Sequence, residues 1–179
     1  MTSSCPHDRE TAPPTAAQVD RALAAAAARV AASGERLTRP RRRVLELLLA
    51  AGAPAKAYDL VASFHPEARV AKPATVYRAL QFLETRGLVR RLSTLKSWVA
   101  CDPGQLRSPA AFLLCNCCGS CRQIPSPDMA PLNAAATGTG YVIERVTLEV
   151  QGLCAACRPP RPGPPTIRPV DAEAAQPGP

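Results

Sequence analysis

The sequence predicts an α+β protein in two parts. A helical first half ends in a strand hairpin, and a smaller strand-rich second half is closed by a cluster of cysteines. Three observations lead there. Apolar residues recur at helical spacing in four stretches before Gly87 and give way to strand-like runs after it. The excess positive charge lies entirely in the first half: residues 1–100 hold 16 Lys and Arg against 8 Asp and Glu, and residues 101–179 hold 6 against 6. Two Cys-x-x-Cys pairs, Cys115 with Cys118 and Cys154 with Cys157, each follow an apolar run that reads as a strand.

Residues 1–14 read as a disordered lead-in. Thr15 and Gln18 have the spacing of a capping box, and Val19, Leu23, Ala26 and Val30 then keep a helical stripe until Ser33-Gly34 stops it. A second helix is expected from Thr38, with Pro40 tolerated in its first turn, a buried stripe of Val44, Leu47, Leu48 and Ala51, and a stop at Gly52-Ala53-Pro54. Arg39, Arg41, Arg42 and Arg43 crowd its opening turns, where positive charge opposes the helix dipole. A phosphate partner accounts for that cluster, with a solvated charge run as the plainer reading. A third helix, from about Ala57 to His65, buries Leu60, Val61 and Phe64.

The fourth helix occupies residues 73–86, with Pro73 at its first position and Gly87 just past its end. Val76, Leu80 and Leu83 face inward; Thr75, Arg78 and Gln81 share the opposite face, flanked by Tyr77. Hydroxyl, guanidinium and amide on one exposed stripe near a helix start are the chemistry needed to read base edges. Residues 88–92 and 97–101 form a hairpin. Residues 15–101 therefore read as a winged helix-turn-helix for double-stranded DNA. Thr75, Tyr77 and Arg78 sit on its recognition helix, and Arg39, Arg41, Arg42, Arg90, Arg91 and Lys96 are placed to meet phosphates.

The composition changes at Asp102-Pro103-Gly104, and residues 102–158 read as a second domain. Residues 111–114 form a strand into the first cysteine knuckle and residues 122–124 a strand out of it. Residues 128–136, around Met129 and Leu132, suit a short helix. Val142, Val146, Leu148 and Val150 then line one face of a long strand, with Arg145, Thr147 and Glu149 on the other; Glu144 interrupts the apolar face. Such alternation suits an antiparallel sheet wet on one side. Two such knuckles, Cys115 with Cys118 and Cys154 with Cys157, can supply the four thiolates of one tetrahedral structural zinc per chain.

The 35 residues between Cys118 and Cys154 exceed the usual span of a zinc ribbon. Doubling a loop adds only roughly 0.6 kcal/mol of closure cost, whereas structural zinc contributes about 10 kcal/mol or more, so length is no objection. Cys121 extends the first knuckle into overlapping pairs, so either register is open. Cys101, Cys117 and Cys121 are surplus. Either Cys101 is a small buried hydrophobe and the others are incidental, or Cys101 with Cys117 or Cys121 forms a thiolate-rich sensor for a soft ion or an oxidant. The tail from Pro159 carries 8 prolines in 21 residues and is expected to be disordered.

Eight cysteines in 179 residues fall well short of a disulfide scaffold, and their paired spacing favours metal in a reducing cytoplasm. The N-terminus lacks the basic segment and apolar core of a signal peptide, and no apolar run approaches membrane-spanning length. A thiol–disulfide oxidoreductase is disfavoured because neither pair sits at a strand-to-helix turn of a βαβ unit. A zinc hydrolase is disfavoured because four thiolates leave no open coordination position. The expectation is a binding protein, not an enzyme.

Four segments now stand in unbroken order: Arg36-Leu37-Thr38-Arg39-Pro40-Arg41-Arg42, Lys72-Pro73-Ala74-Thr75-Val76-Tyr77-Arg78-Ala79-Leu80, Cys115-x-x-Cys118-Gly119 and Gly152-Leu153-Cys154-x-x-Cys157. Together, over roughly residues 35–158, they resemble the ferric uptake regulator family and are most similar to its zinc-uptake-regulator branch. The resemblance implies a homodimeric, metal-dependent repressor of metal homeostasis. Its winged helix binds an AT-rich palindrome, and a C-terminal α/β domain dimerises. It carries structural zinc over to Cys115, Cys118, Cys154 and Cys157, and the recognition role to Thr75, Tyr77 and Arg78.

The departures fall at the family's sensing metal, which sits at the hinge and is bound by His, Cys and Glu. Cys101 is kept there, but Arg90, Ser93, Gln123 and Gln151 stand where His or Glu would, and another His would fall near Arg107 or Ser108. The chain's two histidines are His7 and His65. Such a set offers no imidazole or carboxylate for zinc or iron. The regulatory metal is left open, with thiol-based sensing or constitutive DNA binding as alternatives to the ordinary signal.

Overall fold

The computed structural model describes residues 14–64, 72–101, 110–144 and 146–158. The expected disordered lead-in and tail, both histidines, the break at Asp102-Pro103-Gly104, and Arg107, Ser108 and Arg145 lie outside the described residues, apart from Pro14.

Thr15 caps the first helix as its spacing requires. Its Oγ1 accepts the Gln18 N–H at 3.3 Å while Gln18 Oε1 accepts the Thr15 N–H at 2.7 Å, closing a capping box ahead of α1, Ala16–Ala32. Val19, Leu23, Ala26 and Val30 are buried, and Gly34 turns the chain away at φ +72°. Helix α2 spans Arg39–Ala51, with Gly52 left-handed at φ +57° as its stop. Its buried residues are Val44, Leu45 and Leu48; Leu47 is partly covered and Ala51 is exposed. The covered arc is wider than the expected stripe because α1, α3, α4 and the hairpin all pack on this helix. Helix α3, Ala57–Ala62, ends a turn earlier than expected, although Phe64 beyond it is still buried.

Helix α4, Pro73–Thr85, begins on its proline and buries Val76, Ala79, Leu80 and Leu83. Gly87 at φ +70° leads into the hairpin of β1, Val89–Leu92, and β2, Ser97–Ala100, paired from Val89↔Ala100 to Leu92↔Ser97. Ala55 adds a third, one-residue rung: its N–H donates to the Trp98 carbonyl at 2.9 Å and its carbonyl accepts the Trp98 N–H at 2.8 Å. Helices and hairpin share one apolar core containing Val30, Leu48, Leu80 and Trp98. This is the expected winged helix.

The second sheet runs β4-β3-β5. Strand β3, Ala110–Cys115, pairs antiparallel with β4, Cys121–Pro125, through Leu114↔Cys121, and parallel with β5, Leu148–Gly152, through Leu113↔Val150. The sheet expected to be antiparallel is therefore mixed. Helix α5, Ala130–Gly138, lies between β4 and β5 and brings the chain back on the far side of β3, running the same way as β3. The long strand expected from Val142 is also shorter. Residues 141–144 are irregular, Val142 is 87% exposed, and pairing begins only at Leu148. Glu144, which broke the apolar alternation, falls in the stretch that stays unpaired.

A second, smaller core joins hairpin to sheet. Leu92, Cys101, Phe112 and Leu114 are buried together, with Leu95, Val99 and Cys121 packed against them. No described helix is long and apolar enough to cross a membrane.

Candidate nucleic-acid interface and metal centre

Four thiols converge where β3 and β5 end. Parallel pairing carries the register to Cys115↔Gly152, and the Asn116 N–H donates to the Gly152 carbonyl at 2.9 Å, so the two knuckles turn side by side. Gly119 at φ +70° lets the first knuckle fold back, its N–H donating to the Cys115 carbonyl at 2.9 Å. The second closes through the Cys157 N–H to the Cys154 carbonyl at 3.1 Å.

The Sγ atoms of Cys115, Cys118, Cys154 and Cys157 all lie within 4.8 Å of one another, and those of Cys118 and Cys154 are 3.8 Å apart. A tetrahedron with Zn–S of about 2.3 Å has S···S edges of about 3.8 Å, so the donors fit a zinc ion in both chemistry and spacing. The arrangement also favours thiolate. Burial pushes the Cys115 thiol up, but backbone N–H groups of Cys118, Cys154 and Cys117 directed at its sulfur bring it down to about 6. The Cys154 N–H reaches that sulfur at 3.3 Å. Among the described residues this is the one group of three or more His, Cys, Asp or Glu close enough to share an ion. It uses Cys115 and Cys118 and leaves Cys117 and Cys121 outside.

On α4, the inward stripe of Val76, Leu80 and Leu83 is fully buried, and the outward residues Tyr77, Arg78 and Gln81 are exposed with Thr75 half-buried. Tyr77 keeps 50% of its surface, a large aromatic held outward on a well-packed helix. Arg39, Arg42, Arg91 and Lys96 are exposed as well, Lys96 at a hairpin turn with φ +48°.

Two of the expected phosphate ligands are held differently. Arg41 is half-buried: its guanidinium lies 3.3 Å from the centroid of the Phe82 ring, and Nη1 donates to the Arg36 carbonyl at 2.8 Å. Arg90 is half-buried, and its Nε is enclosed without a hydrogen-bond partner. Arg43, also in the basic run, has a local explanation that the sequence did not offer. It donates to the Phe64 and Ser63 carbonyls at 3.1 and 3.2 Å and pairs with Glu46 at 3.2 Å.

Between the two units lies a cavity of about 500 Å³ walled by α1, α2, the end of the hairpin and the second sheet. Cys101, Cys121 and Gln123 all line it; Cys117, exposed on the knuckle turn, does not. Sequence reasoning missed two contacts that fix the frame: an ion pair of Glu35 with Arg86, and the reach of Glu149 from β5 to the hairpin turn. Nothing local in the sequence signals either, since the partners stand 51 and 56 residues apart.

The profile of the ferric uptake regulator family matches residues 32–151. The chain is 33% identical over 124 residues to the zinc uptake regulation protein of Escherichia coli (strain K12), a match covering 68% of this chain and 72% of that protein. Among solved structures it is similar to a zinc uptake regulator complexed with zinc and DNA, with TM-score 0.73 and 32% identity over 80% of this chain and 96% of that one. It is also similar to holo XcZur, with TM-score 0.68 and 39% identity over 75% of this chain and 95% of that one.

Proposed function

The chain belongs to the ferric uptake regulator family, and on that premise we propose that it is a DNA-binding transcription regulator, a repressor of metal-homeostasis genes. It works in a reducing cytoplasm as a homodimer on an AT-rich palindrome. Residues 15–101 form its DNA-binding domain and residues 102–158 its dimerisation and zinc-binding domain. It is not an enzyme. The observation that carries this reading is the exposed stripe of Tyr77, Arg78 and Gln81 on α4, standing on a fully buried inner face in a fold shared with a zinc- and DNA-bound relative.

Tyr77 and Arg78, with Thr75 beside them, read the major groove; Arg39, Arg42, Arg91 and Lys96 meet phosphates, with Arg41 and Arg90 nearer the frame of the fold. Structural zinc, one per chain, is held by Cys115, Cys118, Cys154 and Cys157 and fixes the ends of β3 and β5. Support for a dimer comes from apolar surface that one chain leaves uncovered: Leu113 and Val150, paired across the second sheet, are 37% and 51% exposed, and Tyr141 and Val142 are more so.

The test is a mobility-shift titration of the zinc-loaded protein on DNA upstream of its own gene, against a scrambled duplex of equal length. Tighter binding to the upstream fragment, lost in Arg78→Ala, is expected. Equal affinity for both duplexes overturns the reading. A second reading, DNA binding without ordinary metal sensing, is favoured by Arg90, Ser93 and Gln123 at the hinge. The Ser93 N–H is already taken by Glu149, and none of the three offers an imidazole or carboxylate.

A further inference from the structure

Two thiols outside the zinc cluster face one cavity from different units of the fold. Cys101 follows β2, is 4% exposed, and is fixed by its N–H donating to the Leu88 carbonyl at 2.9 Å. Cys121 opens β4 and packs against the buried cluster that contains Cys101. Both line the cavity between hairpin and second sheet. Among its described lining residues there is no His, Asp or Glu; the remaining polar side chains are the amides of Gln18 and Gln123. Gln18 Oε1 is already engaged by the Thr15 N–H at 2.7 Å. Beyond the lining, the charged neighbours are one cation, Arg90, and two carboxylates, Glu84 by Cys101 and Glu149 by Cys121. The Arg90 guanidinium is near enough to Cys101 to favour its thiolate, and Arg90 Nε is enclosed with no partner of its own.

We propose that Cys101 and Cys121 form a two-thiolate site for a soft monovalent cation of the copper(I) class, set in the cavity that joins the two units. Two sulfurs without further anionic donors suit an ion content with two soft ligands and leave zinc, which takes four, undersupplied. On binding, two S–H bonds break and two S–Cu bonds form. Both protons leave to solvent, nothing is oxidised, and the site passes from neutral to a single negative charge beside Arg90.

Burial pushes the Cys101 thiol up to about 11, the lowering pull of Arg90 being opposed by the nearby carboxylate of Glu84. Burial, and then the nearby Cys101 and Glu149, push Cys121 up to about 11. Thiols so protonated at neutral pH react poorly with peroxide, because only the thiolate attacks the peroxide oxygen, whereas a coordinating metal displaces the proton outright. Because the ligands come from the hairpin and from β4, filling the site cross-links the two units. Its use as the regulator's signal rests on the DNA-binding reading above; the binding itself does not.

The test is an anaerobic titration of the zinc-loaded full chain with copper(I) buffered by a chromogenic chelator. Thiolate-to-copper absorbance and released zinc are followed together. One equivalent of copper(I) taken up without zinc release is expected. It should be lost in Cys101→Ser and in Cys121→Ser, each still holding its zinc as a check on folding, and kept in Cys117→Ser. Copper(I) that enters only by expelling zinc overturns the proposal, as does an equivalent retained in either serine variant. A Cys101–Cys121 disulfide formed by peroxide in a protein that takes up no copper(I) overturns it in favour of an oxidant. Operator affinity, measured separately with zinc alone, shows a failure of the DNA-binding reading independently.

Discussion

Glu149 Oε1, on the edge strand β5, accepts the backbone N–H of Ser93 in the hairpin turn at 2.7 Å, and Oε2 accepts that of Thr94 at 3.0 Å. One carboxylate thus bridges the wing to the second sheet. Burial raises the Glu149 pKa, but the bonds from Ser93 and Thr94 outweigh it and hold the carboxyl below its ordinary value of 4.5. A lowered folded-state pKa means that the bridge contributes fully above the ordinary value and is lost as pH falls through the lower folded one. The Ser93 and Thr94 amides should therefore keep their hydrogen-exchange protection at neutral pH and lose it only below the usual carboxylate range. Glu149→Ala should remove that protection at every pH and cost on the order of 1 kcal/mol.

Replacing Cys118 or Cys154 by Ser should abolish zinc binding and unfold the second sheet while leaving the winged helix intact, because the helical core is a separate cluster of buried residues. Zinc content and a two-step melting curve check this. A single cooperative loss of all helix content in the variant would contradict it.

Arg78→Ala should cost on the order of 1–3 kcal/mol on the operator and narrow the gap between operator and random DNA. Arg91→Ala should weaken both alike and reduce the salt slope by about one unit. Affinities measured across a salt series separate the two roles.

Leu80, completely buried on the inner face of α4, should be among the costliest positions to truncate. Leu80→Ala is expected to lose about 2–5 kcal/mol in urea denaturation. The surface change Gln81→Ala, one residue on, should move stability by less than about 0.5 kcal/mol.

Val150→Asp should leave zinc binding intact and shift the protein to monomer in light scattering, since Val150 and its partner Leu113 form exposed apolar surface on β5 and β3. A dimer unchanged at micromolar concentration would place the interface elsewhere.

Features fixed by near neighbours were legible in the sequence. The capping box of Thr15 and Gln18, Pro73 at the start of α4 and the stripe of Val76, Leu80 and Leu83 are local, and the structure has them where the spacing puts them. The two Cys-x-x-Cys pairs were legible too, because each pair is a turn in itself. The direction of β5 was not, since alternation looks the same in parallel and antiparallel pairing and only the crossover through α5 decides it. Nor was the Glu149 bridge, whose partners are backbone N–H groups that any residue would supply. The choice between Cys117 and Cys121 turned on strand phase: Cys121 opens β4 opposite buried Leu114, while Cys117 rides an exposed turn.

Trp98 is the chain's single tryptophan and is almost wholly buried, hydrogen-bonded through its backbone to Ala55 on both sides. Its fluorescence is therefore a private reporter of the winged helix, shifting when the indole meets water and silent while the metal-bound sheet melts. Tyr58, Tyr77 and Tyr141 are all exposed, so they contribute a nearly constant background. One emission spectrum during chelation can thus date the unfolding of one half of the molecule against metal release from the other.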